Sequence, residues 1–134
     1  MARKLFTNLP VKDLQKSIEF FTKLGFTFNP QFGDKNGACM IVGSDAFVML
    51  LAEEFFRTFT KKELVNAATA TEVITAITVD SKDEVDAIVD TALSAGGAPS
   101  NETSEQEFMY TRSFQDLDGH LWEVLYMDPT AMNG

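Results

Sequence analysis

The chain has 134 residues, 45% of them hydrophobic and 23% charged, which suits one globular domain and excludes a disordered segment. Twenty acidic residues against eleven basic ones leave a net charge of −9, so neither nucleic acid nor an anionic membrane is expected as a partner. One cysteine (Cys39) excludes an internal disulfide, and one histidine (His120) excludes sites that need two or three imidazoles.

No apolar run approaches the roughly 18 residues of a membrane span. The N-terminal stretch MARKLFTNLP has a basic start and no apolar segment after it, so no secretion signal is read there. A cytoplasmic location with a reduced, buried Cys39 is the expectation.

Residues 4–11 read as a strand ending before Asp13, a helix N-cap type. Leu14, Ile18, Phe21 and Leu24 recur at helical spacing, and Gly25 follows, which predicts a helix over 14–24. Residues 26–32, 38–42 and 46–52 read as strands, separated by turn-rich stretches at 33–37 and 43–45. Residues 53–71 differ in character. Thr60-Lys61-Lys62-Glu63 fits a capping box and predicts a short helix over 61–67. Phe55, Phe56 and Phe59 are too apolar for a purely solvated loop, so they are expected to pack on a sheet or cover a cavity.

The pattern then restarts. Residues 72–79 read as a strand, and Ser81-Lys82-Asp83-Glu84 is a second capping box. Val85, Ile88, Val89, Ala92 and Leu93 give an amphipathic helix that Gly96-Gly97 ends. Residues 98–107 form a polar loop with at most a short strand. Strands at 108–114 and 121–127 follow, joined by the turn at 115–119.

This order is an internal repeat. Val11 and Val79 both close a strand just before a helix cap and stand 68 positions apart. Val48-Met49-Leu50-Leu51 lies over Leu121-Trp122-Glu123-Val124 at an offset of 73, with the extra residues placed in the 98–107 loop.

The opening, from Leu9-Pro-Val-Lys-Asp-Leu to Phe-Phe-Thr-Lys-Leu-Gly-Phe26, resembles that of the glyoxalase/bleomycin resistance/extradiol dioxygenase proteins, the vicinal oxygen chelate superfamily. Phe114-Gln-Asp-Leu-Asp-Gly-His-Leu-Trp-Glu-Val124 resembles their closing DPDG-x-x-x-E element. The resemblance implies an α+β fold of two repeated βαβββ modules forming a curled mixed sheet around a cavity. It covers one domain over 1–134: module one at about 4–56, a linker at about 57–71, and module two at about 72–128. It also implies a homodimer and a small-molecule ligand.

Metal-dependent members of that superfamily hold a divalent ion with side chains from the first and last strands of each module. Carried over by position, those side chains are Phe6, Leu50, Ile74 and Glu123. Only Glu123 among them offers a lone pair suited to such an ion. No metal or other cofactor is therefore expected, with a divalent metal as the alternative. Glu123 is the candidate catalytic group, an acid or base in an apolar setting, or else a carboxylate paired with Arg112.

Phe6, Asn8, Leu50, Ile74, Thr111, Ser113 and Arg112 are the candidate ligand contacts. Strand alternation places Thr111 and Ser113 on the face of Glu123, and Tyr110 and Arg112 on the other. Asp116 and Asp118 fit a tight turn without a metal, and His120 fits a turn end.

Three functions remain open on these grounds. One is a protein that binds a small, partly apolar ligand without a metal. The second is a metal-dependent glyoxalase-like lyase or dioxygenase. The third is a non-catalytic interaction module with a filled cavity.

Overall fold

Strand β1 (Leu5–Val11) is held by β4 (Ala46–Ala52) in parallel register, with Phe6 opposite Phe47 and Leu9 opposite Leu50. Between them in sequence lie helix α1 (Leu14–Lys23), the short strand β2 (Thr27–Asn29) and β3 (Gly37–Gly43). The sheet order is β1-β4-β3-β2, and only the β1–β4 pairing is parallel. The computed structural model describes residues 3–132.

Local chemistry sets these boundaries. The Asp13 carboxylate accepts from the Lys16 N–H at 3.0 Å and starts α1. Gly25, at φ +101°, turns the chain out of the helix in a region that side chains rarely adopt. The strand predicted over 26–32 stops at Asn29, because Pro30 has no N–H to donate to the ladder. Asn29 instead accepts from the Gln31 N–H and opens a single 3₁₀ turn, Pro30–Phe32. Phe20 and Phe21 of α1 are buried with Leu9, Val11, Met40, Val48 and Leu50, which form the core beneath the helix.

After β4 come α2 (Glu53–Phe56) and a 3₁₀ turn, Arg57–Phe59. The helix predicted over 61–67 is absent. The Thr60 hydroxyl accepts from the Lys62 N–H, two residues on, rather than three as a capping box requires. Asn66 likewise accepts from the Ala68 N–H and closes a turn.

Two compact units divide between Val65 and Asn66. In the second, β5 (Ile74–Thr78) pairs in parallel with β9 (Leu121–Met127), and β9 pairs antiparallel with β8 (Met109–Gln115). Two-residue strands β6 (Ala98–Pro99) and β7 (Ser104–Glu105) both edge β8. Helix α3 (Lys82–Ser94) is capped by Ser81, whose hydroxyl accepts from the Glu84 N–H. Val85, Val89 and Ala92 of α3 are buried with Phe114, Trp122 and Val124. A short helix, α4 (Pro129–Met132), follows β9.

The α+β class and the repeated strand–helix–strand order match the expectation. The mixed sheets match it as well, one of four strands and one of five, though neither is strongly curled.

Candidate functional site

In each unit one sheet face lies under a helix, and the other carries all the predicted site residues except Leu50 and Arg112. In the first unit the second face presents Phe6 and Asn8 from β1, with Phe47 and Met49 from β4 as their cross-strand partners. Phe6 and Phe47 stack with ring centroids 4.9 Å apart. Phe6 nevertheless keeps 46% of its surface exposed. The Asn8 carboxamide makes no hydrogen bond to another described residue and stays exposed.

Leu50 is on the wrong face for ligand contact. It pairs with Leu9, is completely buried, and points into the core beneath α1. The register explains the difference. Phe6 opposes Phe47, and its repeat partner Ile74 opposes Leu121. Phe47 and Leu121 stand 74 positions apart, so Glu123 corresponds to Met49. The sequence offset of 73 is one residue short, and one residue moves a side chain to the other face.

In the second unit, Ile74, Leu121 and Glu123 share a face with Ser113, which stands directly opposite Glu123. Thr111 stands opposite Leu125 on the same face. Ile74 is 49% exposed and Glu123 is half-buried. The Ser113 hydroxyl does not serve Glu123. It accepts from the Asn101 N–H at 2.8 Å and donates to the Asn101 carbonyl at 3.1 Å.

Arg112 lies on the opposite face, toward α3. Its Nη1 donates to Asp86 and ion-pairs with Asp90, each at 2.9 Å. The Tyr110 hydroxyl donates to the same Asp86 oxygen at 2.6 Å. The Tyr110 hydrogen bond, and next the Arg112 one, hold the Asp86 carboxyl below its ordinary range. Arg112 is therefore a strap between β8 and α3, and it neither contacts the Glu123 face nor pairs with Glu123. Asp86 and Asp90 are one helical turn apart on α3, and that spacing is the sequence signal for this pairing.

The turn before β9 holds Asp116, Asp118 and His120, whose ligand-type atoms lie within 4.8 Å of one another. The bonds of Asp116 build the turn. One oxygen accepts from the Asp118 and His120 N–H groups, and the other from the Trp122 indole N–H at 3.0 Å. Burial pushes the Asp116 carboxyl up, against the pull of His120 and of these donors. Gly119, at φ +93°, completes the turn. A Cβ there would come within 2.9 Å of the Ala67 and Ala68 backbone. Cys39 is a buried free thiol whose pKa is raised by that burial.

The strand order, the repeat and the Asp-Gly turn point to a family, and the comparison of sequences decides it. The sequence profile of the glyoxalase/bleomycin resistance protein/dioxygenase superfamily matches residues 5–124. The chain belongs to that superfamily. Among solved structures, hypothetical protein SA1046 from S. aureus is 30% identical with a TM-score of 0.78, over 94% of this chain and 95% of that one.

A glyoxalase/bleomycin resistance protein/dioxygenase family enzyme from Burkholderia phytofirmans PsJN is 16% identical, with a TM-score of 0.75 over 94% and 99% of the two chains. A glyoxalase-related enzyme from Fulvimarina pelagi is also 16% identical, with a TM-score of 0.78 over 94% and 88%. The last two likenesses concern the fold alone. A comparison with curated proteins found no match. No helix among the described residues of this superfamily member is long and apolar enough to cross a membrane.

Proposed function

We propose that this chain is a small-molecule-binding member of the superfamily that works without the divalent metal of its metal-dependent relatives. The observation that carries this reading is the donor set. Corrected for register, the four positions are Phe6, Met49, Ile74 and Glu123. Phenyl and alkyl groups offer no lone pair, and a thioether is a soft ligand suited to Cu(I) rather than to Zn, Mn or Fe. One carboxylate does not make a site for a hard ion. The Asp116 oxygens, for their part, are already taken by three N–H groups of their own turn and strand.

The face of the second sheet that carries Ile74, Leu121 and Leu125 around the Glu123 carboxylate suits a small, partly apolar ligand that Glu123 orients through a hydrogen bond. If chemistry follows binding, Glu123 is the proton acceptor or donor, because no other titratable side chain stands on its face of β5, β8 and β9. The alternative, a metal-dependent lyase or dioxygenase, asks for ligands that these positions do not supply. The proposal includes a homodimer in the cytoplasm.

Elemental analysis of protein purified without chelator tests the reading. Far less than one Zn, Ni, Mn or Fe per chain is the expected result. One metal per chain, lost in Glu123→Ala, overturns it.

A further inference from the structure

The segment that follows β4 does more than connect two units. Phe56, Phe59 and Thr60 return over the non-helical face of the first sheet and close a pocket of about 160 Å³ against Asn8 and Leu51. We infer that this pocket is a binding site for an uncharged, single-ring aromatic ligand bearing one amide or carbonyl group, a reading that rests on the small-molecule function proposed above and places a ligand site within the first unit.

Size comes first. An apolar cavity of about 150 Å³ accommodates a benzene ring, so this pocket holds one ring and not two. Charge comes next. No ionisable side chain lines it, so a charged ligand would shed its water without gaining a partner.

Shape and polarity narrow the class further. The Phe59 ring, which lines the pocket, stands edge-on to Phe55, with centroids 5.1 Å apart and planes at 83°. It is nonetheless 68% exposed, a large apolar surface left for a second ring to cover. The Asn8 carboxamide has both a donor and an acceptor to offer. The Thr60 hydroxyl accepts from the Lys62 N–H and keeps its own proton to donate. A neutral amide or carbonyl on the ring answers both groups.

Backbone-amide NMR titration of the full chain with benzamide, benzoate and cyclohexanecarboxamide tests the inference. Saturable shifts with benzamide at Asn8, Leu51, Phe56, Phe59 and Thr60 are expected. Benzoate should bind about tenfold more weakly or worse, through its uncompensated charge. Cyclohexanecarboxamide should also bind more weakly, for want of a ring to stack. Phe59→Ala and Asn8→Ala should each lower benzamide affinity about fivefold or more, and because Asn8 is an exposed strand residue, its variant keeps the test open if the Phe59 variant misfolds.

Equal binding of benzoate, or no loss in a folded variant, overturns the inference. Benzamide shifts gathered on Leu121, Glu123 and Leu125 instead overturn this pocket while leaving the small-molecule reading intact. No saturable shift with any probe overturns the pocket's ligand class, and the metal analysis then decides the broader reading by itself.

Discussion

Asp116 shows how a single carboxylate can be costly and indispensable at once. It is buried, which disfavours its charge, yet it is the acceptor for the indole N–H of the fully buried Trp122. Asp116→Asn keeps the shape but turns one acceptor into a donor, which then faces either the indole N–H or the Asp118 and His120 N–H groups. The variant is expected to lose about 1–3 kcal/mol by chemical denaturation at neutral pH. Its pH dependence should differ too. A carboxyl whose folded pKa is raised stabilises fully below its unfolded value and loses that contribution as pH rises through the folded one. That falling limb should be missing in Asp116→Asn. Gly119→Ala, at positive φ and against the Ala67 backbone, should cost about 2 kcal/mol or more by the same measurement. At this scale the sequence was informative where parity is unbroken. Thr111, Ser113 and Glu123 do share a face, because residues 109–115 and 121–127 are regular strands. It was uninformative about partners: Ser113 is claimed by Asn101, and nothing in a linear chain announces a loop folding back across a strand.

Among elements, the decisive error was a slip of one residue in β4. Residues 48–51 are Val-Met-Leu-Leu, apolar without alternation, so the sequence carries no mark of which side chains face the helix. The cross-strand partners settle it: Leu50 opposes Leu9 in the core, and Met49 opposes Asn8 on the other face. β9 was legible because Glu123 interrupts its apolar run. The helix predicted over 61–67 failed for a comparable reason, since a Thr can cap a helix or close a two-residue turn with the same hydroxyl. The contact between α3 and β8 yields an element-scale prediction. Asp86, bonded to Tyr110 and Arg112, has a lowered pKa, so its contribution is present above the unfolded carboxyl value and is lost as pH falls through the folded one. Its side chain is 45% exposed, so solvent screening keeps the contribution to about 1 kcal/mol or less. Acid titration of stability in Asp86→Asn should show a shallower fall than the parent protein below about pH 4. An equal slope in both proteins would mean that the strap carries no charge-dependent stability.

For the whole molecule, the exposed edges argue for assembly. β1 ends the first sheet and β5 ends the second, so each has one side without a strand partner among the described residues. Both edges carry apolar side chains in the open: Leu5 is 64% exposed beside Phe6, and Val73 is exposed beside Ile74. Unprotected apolar edges invite pairing with another chain, and a protein that stays in solution has to cover or blunt them. A net charge of −9 opposes indiscriminate association, which favours a closed pair over open-ended growth. Sedimentation at micromolar protein should therefore give twice the 14.9 kDa chain mass. Leu5→Lys sharpens the measurement. At so exposed a position the change should alter the stability of a lone chain by no more than about 0.5 kcal/mol. In a pair covering β1, the same change buries an ammonium group without a partner and should shift the equilibrium to the single-chain mass. A parent protein that sediments at 14.9 kDa, or a Leu5→Lys variant that remains paired, would show that β1 is not the covered edge.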